Sequence, residues 1–377
     1  MTDRQTDRQT DRQTDRQTDR QTDRQKERKT ERQTSVELFL LSKAAHNRLI
    51  VTGFHELERQ GVLNLTIIED YERGTKLPPW VPLTEAIING NIKIAFDTSD
   101  GYASVKQVDD YLEGVDYYFK RSFSKENNKK FYPKNYDKVF PLSFNYDVSY
   151  FFNPMDFSCF VRDINVIAHK ILKPYNIRAY ENTPVSKNNK VLFMCRLWDP
   201  DGAEVKQDAL AQEERKRINQ MRINIIRTLR DKYGTDFIGG VSDDEYSRKV
   251  CPDLILKKAL TSKKRYLSIM KKCGVCIATT GLHNSIGWKF GEYVVAGKAI
   301  VSEPLYYEVN GDFSAGKNYL EFRSAEECLA KIETLLRDEE LRKSIEQNNR
   351  EYYLHYCRPD RQIWNALQLA MNKTNFG

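Results

Sequence analysis

The chain contains no apolar run long enough to span a membrane. Its first residues, MTDRQTDRQ, hold none of the apolar segment a secretory signal requires. The seven cysteines are odd in number and scattered, without the spacing of a disulfide framework. Together these absences predict a cytoplasmic protein in a reducing compartment. There is no P-loop and no Gly-x-Gly-x-x-Gly, and no His, Cys and Asp residues fall at metal-ligand spacing. Neither a metal nor a resident cofactor is therefore expected. Positive charge is thin: +7 over 377 residues argues for ordinary solvation and against a nucleic-acid partner. Cys273-Gly-Val-Cys276 is a lone pair where a helix ends and a strand begins. Redox pairs sit the other way round, at a strand feeding a helix, so this one reads as core.

The chain has 40% hydrophobic residues, with 21 Tyr and 18 Phe, enough for two cores of ordinary size. It opens on six copies of Thr-Asp-Arg-Gln over residues 2–25. An ACAG microsatellite read in frame encodes that quartet. Each copy is neutral and offers no apolar side chain, so burial cannot offset the entropy of ordering. Residues 1–34 are expected to be disordered.

From residue 36 strands and helices alternate. VELFLL, NIKIAFD, VDYYFK and DKVFPL read as strands, with helices over GFHELERQG and SVKQVDDYLEG between them. This rhythm predicts a parallel sheet with helical crossovers. A polar break at 181–190 separates a second alternation. KVLFMC, DFIGG, VCIAT and AIVS are its strands. Residues 213–234 form a long amphipathic helix with Ile218, Met221, Ile225 and Leu229 on one side. The expected organisation is the repeat tract at 1–34, a first Rossmann-like domain at 35–183, a second at 187–358, and a helical tail at 359–377 turning back toward the first.

Open parallel sheets bind ligands beyond the carboxyl ends of their strands. Polar residues collect at those ends. In the first half these are Asp97, Lys120, Arg121 and Asn145; in the second, Arg196, Thr279, Thr280 and Glu303. Two sheets with these edges facing would enclose a cleft. The stretch GLHNSIGWKFGEYVVAGKAIVSEP, residues 281–304, places a loop, a helix and a strand at that edge. A helix beginning near 284–286, capped by Asn284 or Ser285, puts Ser285, Lys289 and Glu292 on one stripe. Its amino end would favour phosphate, Lys289 would add a full charge, and Glu292 could accept from a ribose diol.

The run from Thr261 to Tyr352 resembles the donor domain of GT-B fold glycosyltransferases, in the family 1 or spore-maturation-like group. The resemblance rests on TSKKRYLSIMKKCGVCIATTG, then WKFGEYVVAGKAIVSEPLYYEVNGDFSAGKNYLEF, then SAEECLAKIETLLRDEELRKSIEQNNREYY, with Glu292, Gly297, Gly311 and Gly316 at matching places. It implies two Rossmann-like domains facing across a cleft. It also implies metal-independent transfer of a sugar from a nucleotide-diphosphate sugar to a glycan or other acceptor, with the domains closing over the substrates. On this resemblance the ribose-binding Glu is Glu292 and the phosphate-contacting Arg is Arg196. The second Glu of many retaining members is replaced by Asn284. Where many members have a Lys after the Arg, this chain has Trp198, Asp199, Pro200 and Asp201, leaving Lys289 or Lys263 to supply that charge. An inverting reaction would need a base from the first domain, for which Asp97, Asp100 and His46 are the candidates. A nucleotide- or glycan-binding relative without turnover and an interaction scaffold are the alternatives.

Overall fold

The computed structural model describes residues 34–374 apart from 79, 151–152, 157–175, 182 and 184–187. The Thr-Asp-Arg-Gln tract and part of the polar break at 181–190 lie outside the described residues.

Six strands form the first sheet: β1 (Thr34–Leu40), β2 (Leu63–Glu69), β3 (Leu83–Ile88), β4 (Ile92–Asp97), β5 (Tyr117–Lys120) and β6 (Val139–Pro141), in the order β2-β1-β3-β4-β5-β6. The strand–helix rhythm predicts a parallel sheet, and the structure departs from it. β3 runs antiparallel to both β1 and β4, while the other pairs are parallel. The cause is local. Asn89 and Gly90 between β3 and β4 have φ of 50° and 72°, the paired left-handed conformation of a tight hairpin turn. The Ser35 N–H donates to the Asn89 side chain at 3.0 Å, tying the turn to β1. Helix α1 (Arg48–Arg59) covers one face through Leu49, Ile50 and Phe54. Helix α2 (Val105–Leu112) covers the other with Val108 and Leu112 against Ala95.

The second sheet holds β7 (Val191–Cys195), β8 (Phe237–Val241), β9 (Val275–Ala278), β10 (Ala299–Ser302) and the short β11 (Leu320–Glu321). It is parallel throughout, in the order β8-β7-β9-β10-β11. Its helices are α3 (Ala209–Tyr233), α4 (Lys263–Lys272), α5 (Trp288–Val295), α6 (Ala325–Arg337) and α7 (Glu339–Tyr352). Asp208, Ser262, Ser324 and Asp338 cap four of them, each side chain accepting a backbone N–H three residues on. Cys273 and Cys276 are both fully buried in the core, where burial pushes the Cys273 thiol up to about 11.

Two features join the halves. The last helix, α8 (Pro359–Thr374), packs on α1 of the first sheet. Gly53 makes that approach possible: a Cβ there would lie 2.4 Å from both the Pro359 carbonyl oxygen and the Ile363 side chain. The second is an aromatic cluster. Phe144, just past β6, has its ring 5.0 Å from Phe290, 4.7 Å from Phe313 and 5.7 Å from Tyr352 of the second half. The Tyr352 hydroxyl sits 3.0 Å from Ser143 Oγ and donates to the Asn310 carbonyl at 2.8 Å. One continuous core of buried residues therefore runs through both halves.

Candidate functional site

The order of the second sheet reverses at β7, which has β8 on one side and β9 on the other. Such a switch point leaves a crevice at the carboxyl ends of the two strands. A cavity of about 470 Å3 opens there. Arg196 and Trp198 after β7, Thr279 after β9 and Lys289 of α5 line one wall; His46, Asp100 and Arg121 of the first half line the other.

The loop after β7 is held by a polar stripe that α3 buries. Arg215, Asn219 and Arg222 recur at helical spacing on its inner side. Arg215 donates to the Asp199 carbonyl at 2.6 Å. Asn219 both accepts from the Trp198 N–H at 2.9 Å and donates to its carbonyl at 2.6 Å. Arg222 spans the switch point. It donates to the Arg196 carbonyl at 2.6 Å, to Thr279 Oγ1 at 3.0 Å and to the Thr280 carbonyl at 2.9 Å. Sequence reasoning missed Arg222. Its signal was an arginine inside the apolar stripe, four residues after Ile218 and three before Ile225.

The cavity is electropositive. Arg121 and Asp100 form an ion pair at 2.8 Å and cancel. Arg196, Arg222 and Lys289 remain, and among the described residues no carboxylate lies within ion-pairing distance of them. The Arg196 guanidinium stacks 3.6 Å from the Trp198 ring centroid, and the Lys289 ammonium lies 4.4 Å from that of Tyr266. Burial holds the Lys289 ammonium below the ordinary lysine value, against the pull of Glu292. The Trp198 and Trp288 indole nitrogens have no hydrogen-bond partner among the described residues.

Helix α5 starts later than the sequence suggests. Leu282–Asn284 is a separate helical turn with His283 and Asn284 at φ of 58° and 56°, and the N-cap is Gly287. Neither Asn284 nor Ser285 caps the helix. Ser285 precedes it and is buried, its carbonyl accepting from Gly281 N–H at 2.8 Å. The Asn284 N–H points to Glu214 at 3.4 Å. Gly287, Trp288 and Lys289 nonetheless bring the amino end of α5 to the cavity wall.

Glu292, one turn in, faces a contiguous pocket of about 240 Å3 that shares Met194, Cys195, Trp288 and Lys289 with the larger one. Its carboxylate is ion-paired with Lys263, which also lies 3.5 Å from Asp147 of the first half. Lys263 thus does not stand free as a phosphate ligand, because two carboxylates already share it.

Asp97 and Lys120 do not face the cavity. Both are 1% exposed and pair with each other at 2.6 Å. Asp97 also accepts from Tyr118 at 2.8 Å and from the Ser99 N–H at 2.8 Å. Burial pushes its carboxyl up, but the Lys120 charge and the hydrogen bonds from Lys120 and Ser99 outweigh it and keep it below its ordinary value. A carboxylate so satisfied has no lone pair left for a substrate proton, which removes Asp97 as a base. Asn145 donates to the His46 carbonyl at 2.9 Å. Thr280 N–H donates to Glu303 at 2.8 Å, and those two border a void of only about 10 Å3, room for a single water.

His46 and Asp100 stand at a junction. Both line the main cavity and a second one of about 750 Å3 on the first-domain side. The His46 ring meets Trp288 edge-on at 4.8 Å. Burial and the Arg121 charge push its pKa down to about 4, with Asp100 opposing, so the imidazole is neutral at neutral pH.

A parallel second domain with a basic cavity at its switch point, roofed by another α/β domain, defines a protein of two Rossmann-like domains across a cleft. Residues 215–367 match the model of a family described as glycosyl transferase-like. No curated protein sequence matches the chain. Among solved structures, the chain is similar to the C-terminal domain of the glycosyl transferase group 1 family protein LpcC from Francisella tularensis, at 13% identity over 44% of this chain and 84% of that one, with a TM-score of 0.30. It is similar to the pneumococcal O-GlcNAc transferase GtfA in complex with UDP and GlcNAc, at 11% identity over 73% of this chain and 49% of that one, with a TM-score of 0.41. It is also similar to Anabaena HepE in complex with UDP and glucose, at 12% identity over 88% and 98% of the two chains, with a TM-score of 0.36. Among the described residues no helix is long and apolar enough to cross a membrane.

Proposed function

We propose that the chain transfers a sugar from a nucleoside-diphosphate sugar to an acceptor hydroxyl. The observation that carries this reading is the cluster of Arg196, Arg222 and Lys289 around the cavity at the switch point, none of them ion-paired with a carboxylate among the described residues. A diphosphate there gains charge-assisted hydrogen bonds and the amino end of α5. The nucleoside enters the adjoining pocket, where Glu292 accepts from the ribose diol. The sugar then lies toward His46 and Asp100, and the acceptor comes from the first-domain cavity that shares those two residues.

In the reaction the acceptor oxygen bonds to the anomeric carbon as the bond from that carbon to the phosphate oxygen breaks. The arginines and Lys289 stabilise the negative charge that grows on the leaving diphosphate. The neutral His46 imidazole takes the proton of the acceptor hydroxyl, and Asp100 offsets part of the burial and Arg121 charge that disfavour the imidazolium. These positive side chains supply the charge that a divalent ion would otherwise bring, so the reaction is proposed to be metal-independent.

The test is calorimetry with UDP, GDP, ADP and CDP, followed by donor hydrolysis and transfer assays with and without chelator. Micromolar binding of at least one diphosphate and chelator-resistant turnover are expected. No binding of any of the four refutes the donor site. Binding without turnover supports a second reading, a nucleotide-binding relative without catalysis; the replacement of a family carboxylate by Asn284 favours it.

A further inference from the structure

We propose that Asp147, on the first domain, is a positioning residue for the nucleoside pocket of the second, acting through Lys263 on Glu292. The inference rests on the donor reading above. Asp147 lines neither the main cavity nor the nucleoside pocket. Its Oδ2 lies 3.5 Å from the Lys263 ammonium, and its Oδ1 accepts from Arg48 at 3.0 Å. The Tyr180 hydroxyl donates to its backbone carbonyl at 2.6 Å, which fixes the segment. Lys263 in turn is paired with Glu292, whose side chain is only 3% exposed.

Lys263 therefore stands between two carboxylates, one from each domain. An ammonium has three donors and no acceptor, and its position follows the sum of the charges around it. Lys263 bonds Glu292 through Oε1 alone, and the charge of Asp147 at 3.5 Å holds the ammonium on that side, so that Glu292 Oε2 stays open to a vicinal diol. With the Asp147 charge removed, Lys263 is free to swing across the carboxylate and share Oε2 as well, occupying the lone pairs the ribose needs. A residue of the first domain thereby sets how well the second reads a ribose.

The experiment uses the full chain, the tightest binder among UDP, GDP, ADP and CDP, and its 2′-deoxy counterpart. Asp147→Asn is expected to weaken the ribonucleotide about 3- to 10-fold and the deoxynucleotide less than about twofold. In a Lys263→Met background the same change is expected to alter neither. Equal losses for the two nucleotides, or a loss that persists without Lys263, overturn the proposal. Lys263→Met alone gives a second reading should Asp147→Asn not fold: its ribo-over-deoxy preference is expected to equal or exceed that of the unaltered protein, and a collapsed preference overturns the proposal. Failure of all four diphosphates to bind refutes the donor site itself, whereas binding without any ribose-dependent effect refutes only the role of Asp147.

Discussion

Replacing Arg222 with methionine keeps most of the side-chain volume but removes three hydrogen bonds at once. Two of the acceptors are backbone carbonyls, of Arg196 and Thr280, and the third is Thr279 Oγ1. Hydrogen bonds from a charged donor contribute about 1.5–3 kcal/mol each, and buried acceptors left unpaired cost further. Relief of the arginine's own desolvation offsets part of this, because burial already lowers the pKa of Arg222. The net expectation is a loss of about 2–4 kcal/mol of stability, read by urea unfolding. Nucleoside diphosphate affinity should fall about 10- to 100-fold in calorimetry, since a charge leaves the cavity wall. Arg222→Lys separates the two effects. It keeps the charge but cannot fork across three acceptors, so it should recover much of the affinity and little of the stability. An unfolding midpoint unchanged by Arg222→Met would refute the clasp. Unchanged affinity in a folded Arg222→Met protein would refute its share in anion binding.

Three further outcomes are expected. Gly53→Ala should destabilise the fold by about 2–4 kcal/mol, seen as a lower melting temperature, because its Cβ would meet the Pro359 carbonyl and force α8 off α1. His46 has a folded pKa of about 4 against an ordinary 6.5, so the unfolded chain binds its proton first as pH falls. Its contribution is complete above pH 6.5 and is lost toward pH 4; His46→Gln should flatten stability across that window in pH-dependent unfolding. Phe144→Ala should cost about 3–5 kcal/mol and broaden the melting transition or split it in two, because it removes the first half's ring from the shared aromatic cluster.

Much of the fold was legible because it is written in short-range signals. The period-two pattern of NIKIAFD, the glycine after SVKQVDDYLE and the Ser-x-x-Glu before α6 each have a local cause. β3 falls outside the strand–helix rhythm, although Asn89-Gly90 announces its hairpin with β4. The start of α5 was misplaced because Asn284 and Ser285 are good capping residue types. Only the backbone, with two successive left-handed residues, shows that the chain turns there before the helix begins. The site divides in the same way. Arg196 and Lys289 follow from their places at strand and helix ends. The withdrawal of Asp97 into a pair with Lys120, and of Lys263 into one with Glu292, depends on residues far apart in sequence. No local pattern reports which charge a neighbour has already claimed.

The ring of Phe144 wedged among Phe290, Phe313 and Tyr352 has a kinetic consequence. Two lobes that share hydrophobic filling cannot swing apart as independent bodies without exposing it to water. On the donor reading, ligand entry would then fall to side chains and loops at the rim of the crevice and not to a swing of the lobes. The walls of the crevice are set when the polypeptide folds.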